Sequence, residues 1–342
     1  MRDIRDRIIT TPSSRSDSGK MVWAPAKSIW YTAHLIMWLS LGSLYFSWGA
    51  VAAFLGLSIL VLCGGHSLGM HRKLIHDSYE CPLWLARFGA YLGTLVGLGG
   101  PYTMMRAHDL RDWAQRQSHC HPFYSQHSSI PRDWLWQMHA KLVTETGPKI
   151  AYPDKLTKDP FMGFLQRTVW LQQIPIAIAL YAFGDWGWVA WGISGRIIVS
   201  ITGHWIIGWY AHNDGQRHYH VPTHGIQGHN VPGPAALFGF ISFGECWHNN
   251  HHAFPESAKL GLHRFEFDPG WWVLCALERI GLVWNLATPE TIPAHMHHAE
   301  PLFPNSRKHD RLFPQQKAER EGRLCGMEDD FFALSKVQKQ VR

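Results

Sequence analysis

Residues Ser28 to His71 read SIWYTAHLIMWLSLGSLYFSWGAVAAFLGLSILVLCGGHSLGMH, a stretch without one Asp, Glu, Lys or Arg. A helix that crosses a bilayer needs about 20 apolar residues. The stretch therefore holds two spans, with a break near Ser43-Leu-Tyr-Phe-Ser-Trp-Gly49 that is too short and too uncharged to hold a domain. A second apolar block runs from Thr168 to Asn213, interrupted by Asp185 and Arg196, and its Gly184-Asp-Trp-Gly187 turn separates two more helices. Arg196 lies well inside a span, so it must snorkel or face the protein interior. The expected fold is an all-α integral membrane protein with four transmembrane helices in two hairpins, at about 28–46, 49–66, 168–184 and 187–209, and a cytoplasmic helical cap.

Outward from these blocks, Leu83 to Met105 is apolar apart from Arg87 and ends in Gly97-Leu-Gly-Gly-Pro101, where a Gly-Pro run breaks the helix. We expect a buried or interfacial helix here, followed by a loop. The Arg- and Lys-bearing segments 1–27, 72–164 and 214–342 then share one side, which the positive-inside rule makes the cytoplasm. Three parts follow: a cytoplasmic N-terminal segment 1–27, a membrane domain 28–300, and a charged cytoplasmic tail 301–342 whose Glu328-Asp-Asp-Phe-Phe stretch suits a short amphipathic helix. Residues 1–20 are Arg- and Ser-rich without the apolar core of a signal peptide. Both termini and the site are expected in the cytoplasm of a multi-pass protein.

Composition fits this picture better than two soluble domains. Of 342 residues only 17% are charged, 18 are Trp, and 23 His nearly equal the 26 Asp plus Glu. The 46% hydrophobic content excludes disorder, and six cysteines without a CxxC pair exclude a disulfide scaffold. The net charge of +6 comes from scattered Lys and Arg with no nucleic-acid motif, so no nucleic acid is expected as partner.

The histidines are grouped. His248-Asn-Asn-His251-His252 puts imidazoles at i, i+3 and i+4, one face of a helix, where they can converge on a metal. His66-Ser-Leu-Gly-Met-His71 closes the first hairpin; on a regular helix its two rings stand about 140° apart, flanking a metal pair or adjacent if the helix unwinds at Gly69. His76 reads as an interfacial residue. His108 and Asp112, four apart, share a helical face and both suit iron. His119-Cys-His121 lacks the partner motif of a structural zinc site. His204 and His212, eight apart at the end of the last span, can face one interior, whereas His218, His220, His224 and His229 in the next loop are too numerous to be all ligands. Seven or eight nitrogen donors exceed what one ion accepts. A two-metal centre without thiolates, suited to O₂-activating iron, is the economical expectation.

These motifs resemble those of the membrane fatty acyl desaturases, specifically the acyl-CoA (stearoyl-CoA type) branch. The likeness rests on His66-x4-His71 and above all on Gly244-Glu-Cys-Trp-His248-Asn-Asn-His251-His252-Ala-Phe-Pro255, and it extends in order and spacing from about Val51 to Leu286. The resemblance implies a non-haem di-iron centre that uses O₂ and two electrons to turn a saturated acyl chain into one with a cis double bond. By the same resemblance His66, His71, His108, His212, His248, His251 and His252 would be ligands. The middle box departs: where the family reads His-x2-His-His, this chain has His108-Asp-Leu-Arg111-Asp112, two imidazoles short, and Gly208 replaces an asparagine before His212. Asp112, His204 or a histidine between His119 and His121 are the candidates to compensate.

An unactivated C–H bond needs a powerful oxidant, which iron with O₂ supplies. The expected substrate is a fatty acyl-CoA or acyl-lipid, the setting is the lipid bilayer, and electrons come from a separate donor of ferredoxin, rubredoxin or cytochrome b5 type, since the chain has neither haem nor flavin motif. A lipid hydroxylase on the same scaffold, or a non-enzymatic membrane metal-binding protein, are the competing readings. Transport predicts polar residues in mid-span, yet the charge-free block offers only His34, which favours an enzyme.

Overall fold

The computed structural model describes residues 7–231, 235–293 and 299–302. The tail expected to carry an amphipathic helix lies outside the described residues. Helix α1, Pro25–Leu44, starts on a proline, whose fixed φ suits the first turn. Three residues later Ser47 caps the next helix, its Oγ accepting from the Ala50 amide at 3.1 Å. That helix, α2, runs Trp48–Ile75 and so continues past the end at His66 that hydropathy suggests. From Leu60 onward it is a π-helix, in which each carbonyl bonds the amide five residues on.

Helix α3, Leu83–Leu95, lies against this π segment at backbone contact. A Cβ added to Gly65 would stand 2.4 Å from the Leu92 carbonyl carbon, and one on Gly69 would stand 2.4 Å from that of Gly89. Gly65-x3-Gly69 thus faces Gly89-x3-Gly93, the small-residue spacing that lets apolar helices close without intervening side chains. The chain turns at Gly97, with φ of 90°, and re-enters helix at Pro101 as α4, Pro101–Arg116. The expected break is therefore a short turn between two helices.

Next come α5, Ile130–His139; α6, Pro160–Arg167; α7, Gln173–Phe183; and α8, residues 186–213. Single turns lie at Pro122–Ser125 and Asp154–Thr157, and the order ends with α9, Ala235–Ile241; α10, His248–Ala253; and α11, Pro269–Arg279. The third apolar segment, expected as helix over 168–184, is helical for only 11 residues, because 168–172 form turns. Asp185 then starts α8 by accepting from the Gly187 and Trp188 amides. Helices α1 and α8 enclose a core of Tyr31, Ile193, Ile197, Ile201 and Trp205, while the Trp191 indole donates to the Gly42 carbonyl at 2.9 Å. Arg196 faces inward: its Nε donates to the Gly192 carbonyl, Nη1 to the Leu95 carbonyl and Nη2 to Gln173 Oε1.

Among the described residues one helix, α2, is long and apolar enough to cross a membrane by itself. Helices α1 and α8 are long but diluted by Ser, Trp, His34 and Arg196, and α7 is short. The fold is mainly helical rather than all-α. Three two-stranded antiparallel ribbons join β1, Ile8–Ile9, to β4, Lys149–Ile150; β2, Lys20–Trp23, to β3, Ala140–Val143; and β5, Tyr219–His220, to β6, Glu300–Pro301. The first two stitch the N-terminal segment onto the helices of the cap.

Candidate metal centre

The histidines meet where α2 and α8 end against α4 and α10. His71, His76, His108 and His251 bring one ligand atom each within 4.8 Å of one another, and so do His212, His248 and His252. A third group, Asp112, His224 and His252, shares its last member with the second. The π-turn explains the first. On an α-helix His71 and His76 would point apart, but with hydrogen bonds spanning five residues, five positions make about one turn. The His76 amide accordingly donates to the His71 carbonyl at 3.1 Å, and the two ring centres lie 4.8 Å apart. Helix α4 brings His108, α8 brings His212, and α10 supplies the rest, with His251 against His71 at 4.5 Å between ring centres and His248 Nε2 at 2.8 Å from His252 Nε2 and 3.2 Å from His212 Nε2.

The intervening Asn249-Asn250 does the positioning. Asn249 Oδ1 accepts from the His218 and Tyr219 amides, and its Nδ2 donates to the Tyr219 and Gly228 carbonyls, tying the loop after α8 to α10. Asn250 Nδ2 donates to Glu266 Oε2 at 2.7 Å, and Asn230 Oδ1 accepts the Asn249 and Asn250 amides. The far nitrogens of the rings are held as well. His71 Nδ1 lies 2.5 Å from Glu245 Oε2, whose other oxygen accepts from Ser67 at 2.6 Å. His108 Nδ1 lies 3.3 Å from Asp109, which Arg7 grips with two bonds of 2.7 and 2.8 Å. His212 Nδ1 donates to the Gly208 carbonyl at 2.8 Å. Fixing Nδ1 in this way leaves Nε2 as the lone pair offered to an ion.

Electrostatics agree. Burial pushes His76, His248, His251 and His252 well below the ordinary imidazole range, so they stand neutral, the form that ligates metal. Burial alone would raise Glu245, yet His71 and Arg72 beside it bring it down to about 2. Cys246, buried next to the site, has its thiol pushed up to about 12 and offers no thiolate. Imidazole nitrogens 2.8–3.3 Å apart match the separation, about 3.0–3.4 Å, that bonds of about 2.1 Å to one ion impose. His76 Nδ1 and His251 Nδ1 are buried without a hydrogen-bond partner. This donor set fits iron.

Of the residues that the resemblance implies as ligands, the structure gathers His71, His108, His212, His248, His251 and His252 into these groups. His66 is in none of the three groups and stands edge to face with His204, 4.9 Å between ring centres. One helical turn deeper in α2, it is out of reach of α4 and α10. The pair that the fold assembles is His71-Arg-Lys-Leu-Ile-His76, offset by five residues. The same five-residue interval was present in the sequence, but His76 reads there as interfacial. Arg111 turns away toward Gln137, at 3.3 Å. His119 is exposed and His121 caps the turn at Phe123, so neither joins a group. His224, from a loop whose histidines read as mostly solvated, does join one, and no spacing in the sequence signals it.

No family model matches the chain. Over 270 residues it is 32% identical to an sn-1 stearoyl-lipid 9-desaturase of Anabaena variabilis, covering 75% of this chain and 93% of that one. Over 250 residues it is 32% identical to an sn-2 palmitoyl-lipid 9-desaturase of a Nostoc species, covering 70% and 81%. A chloroplastic palmitoyl-monogalactosyldiacylglycerol delta-7 desaturase of Arabidopsis thaliana is 31% identical over 252 residues, 71% of this chain and 64% of the plant protein. With two such relatives spanned over most of their length, and the histidines gathered as above, the chain belongs to the fatty acyl desaturase family of oxidoreductases.

Proposed function

We propose that the protein is an O₂-dependent di-iron desaturase that introduces a cis double bond into a saturated fatty acyl chain presented as acyl-CoA or acyl-lipid. The observation that carries this reading is the pair of imidazole groups built side by side on α10: His71, His76, His108 and His251 would hold one iron, and His212, His248 and His252 the other. Iron with O₂ supplies the oxidant that breaking an unactivated C–H bond demands. The chain's own part is positional. Glu245, Asp109 and the Gly208 carbonyl aim the rings, and the depth of His76, His212, His251 and His252 keeps bulk water from the reacting carbon. His66 and His204 stay outside both sets.

In this reading α1, α2, α7 and α8 form two membrane hairpins of the domain 28–300. The charge-free block supports it, as do the side chains of Ile36, Leu39, Leu55, Ile59, Ile178 and Phe183, which these helices expose outward. The 1–27 segment, the cap and the tail would then be cytoplasmic. There the basic residues would receive a separate electron donor of ferredoxin, rubredoxin or cytochrome b5 type. The test is lipid analysis by mass spectrometry in a host expressing the protein. New monounsaturated acyl chains, absent with His251→Ala, are the expected result, and a hydroxylated product without a new double bond would overturn the reading.

A further inference from the structure

The outer nitrogens of His71, His108 and His212 each have a holder, and that of His252 shows its own once its two ring nitrogens are followed separately. Nε2 lies 2.8 Å from His248 Nε2 and so belongs to the group of His212 and His248. Nδ1, on the opposite edge of the ring, lies 3.0 Å from Nε2 of His224, which comes from the loop after α8. His224 Nε2 is in turn 3.3 Å from Asp112 Oδ1, and His224 Nδ1 is 3.2 Å from Thr223 Oγ1. Asp112 sits on α4 four residues after His108, with its other oxygen paired to Arg116.

A neutral imidazole carries its single proton on one nitrogen and a lone pair on the other. With Nε2 turned to an ion, the proton of His252 belongs on Nδ1, and His224 Nε2 is placed to accept it. His224 then keeps its own proton on Nδ1, where Thr223 Oγ1 accepts it. The opposite tautomer of His224 would donate to His252 Nδ1, drive the proton of His252 onto Nε2 and close the ligand atom. Asp112 Oδ1 sets a negative charge beside this hydrogen bond, which makes the His252 ring a stronger donor. The arrangement is built rather than incidental. His224 is buried, and Gln227 clamps its turn by donating to the Val221 and His224 carbonyls and accepting the Val221 amide. The Ile226 amide donates to the Gln115 carbonyl of α4, and a Cβ at Gly225 would run into the Gln117 carbonyl oxygen, so the loop is pinned to the helix that carries Asp112.

We propose that His224 and Asp112 are positioning residues for His252: His224 accepts the proton on Nδ1, Asp112 backs that bond with its charge, and together they aim Nε2 at the second ion, as Glu245 does for His71. Neither is a ligand. Where the family has the last imidazole of its middle box, this chain thus has a carboxylate that acts through two rings. The proposal rests on the di-iron reading above.

The test is the iron affinity of the full-length purified protein, loaded with Fe(II) alone and titrated with a competing chelator, with Mössbauer spectra to follow the two iron environments. Wild type should hold about two ions per chain, and His224→Phe, which accepts no proton, should hold one of them about 10- to 100-fold more weakly. His224→Gln, whose Oε1 accepts the same proton, should stay within about threefold of wild type. Asp112→Asn, of the same size, should bind one ion more weakly and shift its spectral component while the other stays unchanged. His220→Ala, exposed four residues before His224, should alter neither. If His224→Phe and Asp112→Asn both bind iron as wild type does, the proposal is overturned while the di-iron reading stands. Equal loss in His224→Gln and His224→Phe also overturns it, by showing packing or direct ligation, and so does a third ion in wild type, which would replace the shared proton. Should His224→Phe fail to fold, Asp112→Asn decides, and unchanged affinity and spectra in it overturn the proposal. Wild type without iron fails the di-iron reading, and the proposal with it.

Discussion

At His76 and His66 the centre poses its sharpest question. Both lie five residues from His71, one on each side, and only one is carried to α4 and α10. His76→Ala is expected to lower iron content and abolish product formation, while His66→Ala keeps its iron, and metal analysis of the two purified variants decides it. Glu245 gives a second prediction. Its carboxylate orients His71 and is itself set by Ser67 and Arg72, so Glu245→Gln, of the same size, removes charge without opening a void. Iron affinity should fall about 10- to 100-fold, measured by competition with a chelator, with the folded state intact by circular dichroism. Glu245 stood in plain sight within the third box, but a carboxylate three positions before a helix carries no spacing signal. Its role exists only because α2 and α10 meet there. His224 was hidden for the same reason, since Gln227 and Asn249 hold its loop through contacts between segments distant in sequence.

For the helices, hydropathy located α1 and α2 because a run without charge is a direct statement about solvent, and α8 because its block carries Arg196 alone between Asp185 and Asn213. It misjudged how α2 ends. Apolar content falls at Gly64-Gly65-His66, yet the helix goes on to Ile75, held by glycine contact with α3 and by Arg72, whose guanidinium reaches the Ala258 and Phe243 carbonyls and Asp268. The π-turn is equally silent in the sequence, because a 3.6-residue period is assumed when angles are counted. Gly69→Val tests the seam: with Gly89 backbone 2.4 Å from the new Cβ, α3 must move, at a cost of about 1–3 kcal/mol or more. The readout is a lower melting temperature in detergent together with loss of iron, since His71 and His76 ride on the same turns. Gly56→Ala, on α2 with nothing within 4 Å of its Cβ, should leave both unchanged.

At the level of the whole molecule, ions that bind only the folded state stabilise it in proportion to the logarithm of their concentration over Kd, about 4 kcal/mol at a thousandfold excess. Stripping iron with a chelator should therefore lower the melting temperature of the wild type by several degrees, and should shift that of His251→Ala far less; equal shifts would show that the metal is no part of the fold's stability. The cap is what couples the two, because its elements reach the centre from all along the chain: Glu266 holds Asn250, and Arg7 holds Asp109 while also donating to the Ile75 carbonyl at the end of α2. Those contacts make Arg7 part of the support of the centre. Any shortened version for expression has to begin before Arg7, and a tag joined directly ahead of it pulls on the same guanidinium that keeps His108 in line. A loss of activity on removing Arg7 would then be a defect at His108, more than 100 residues away.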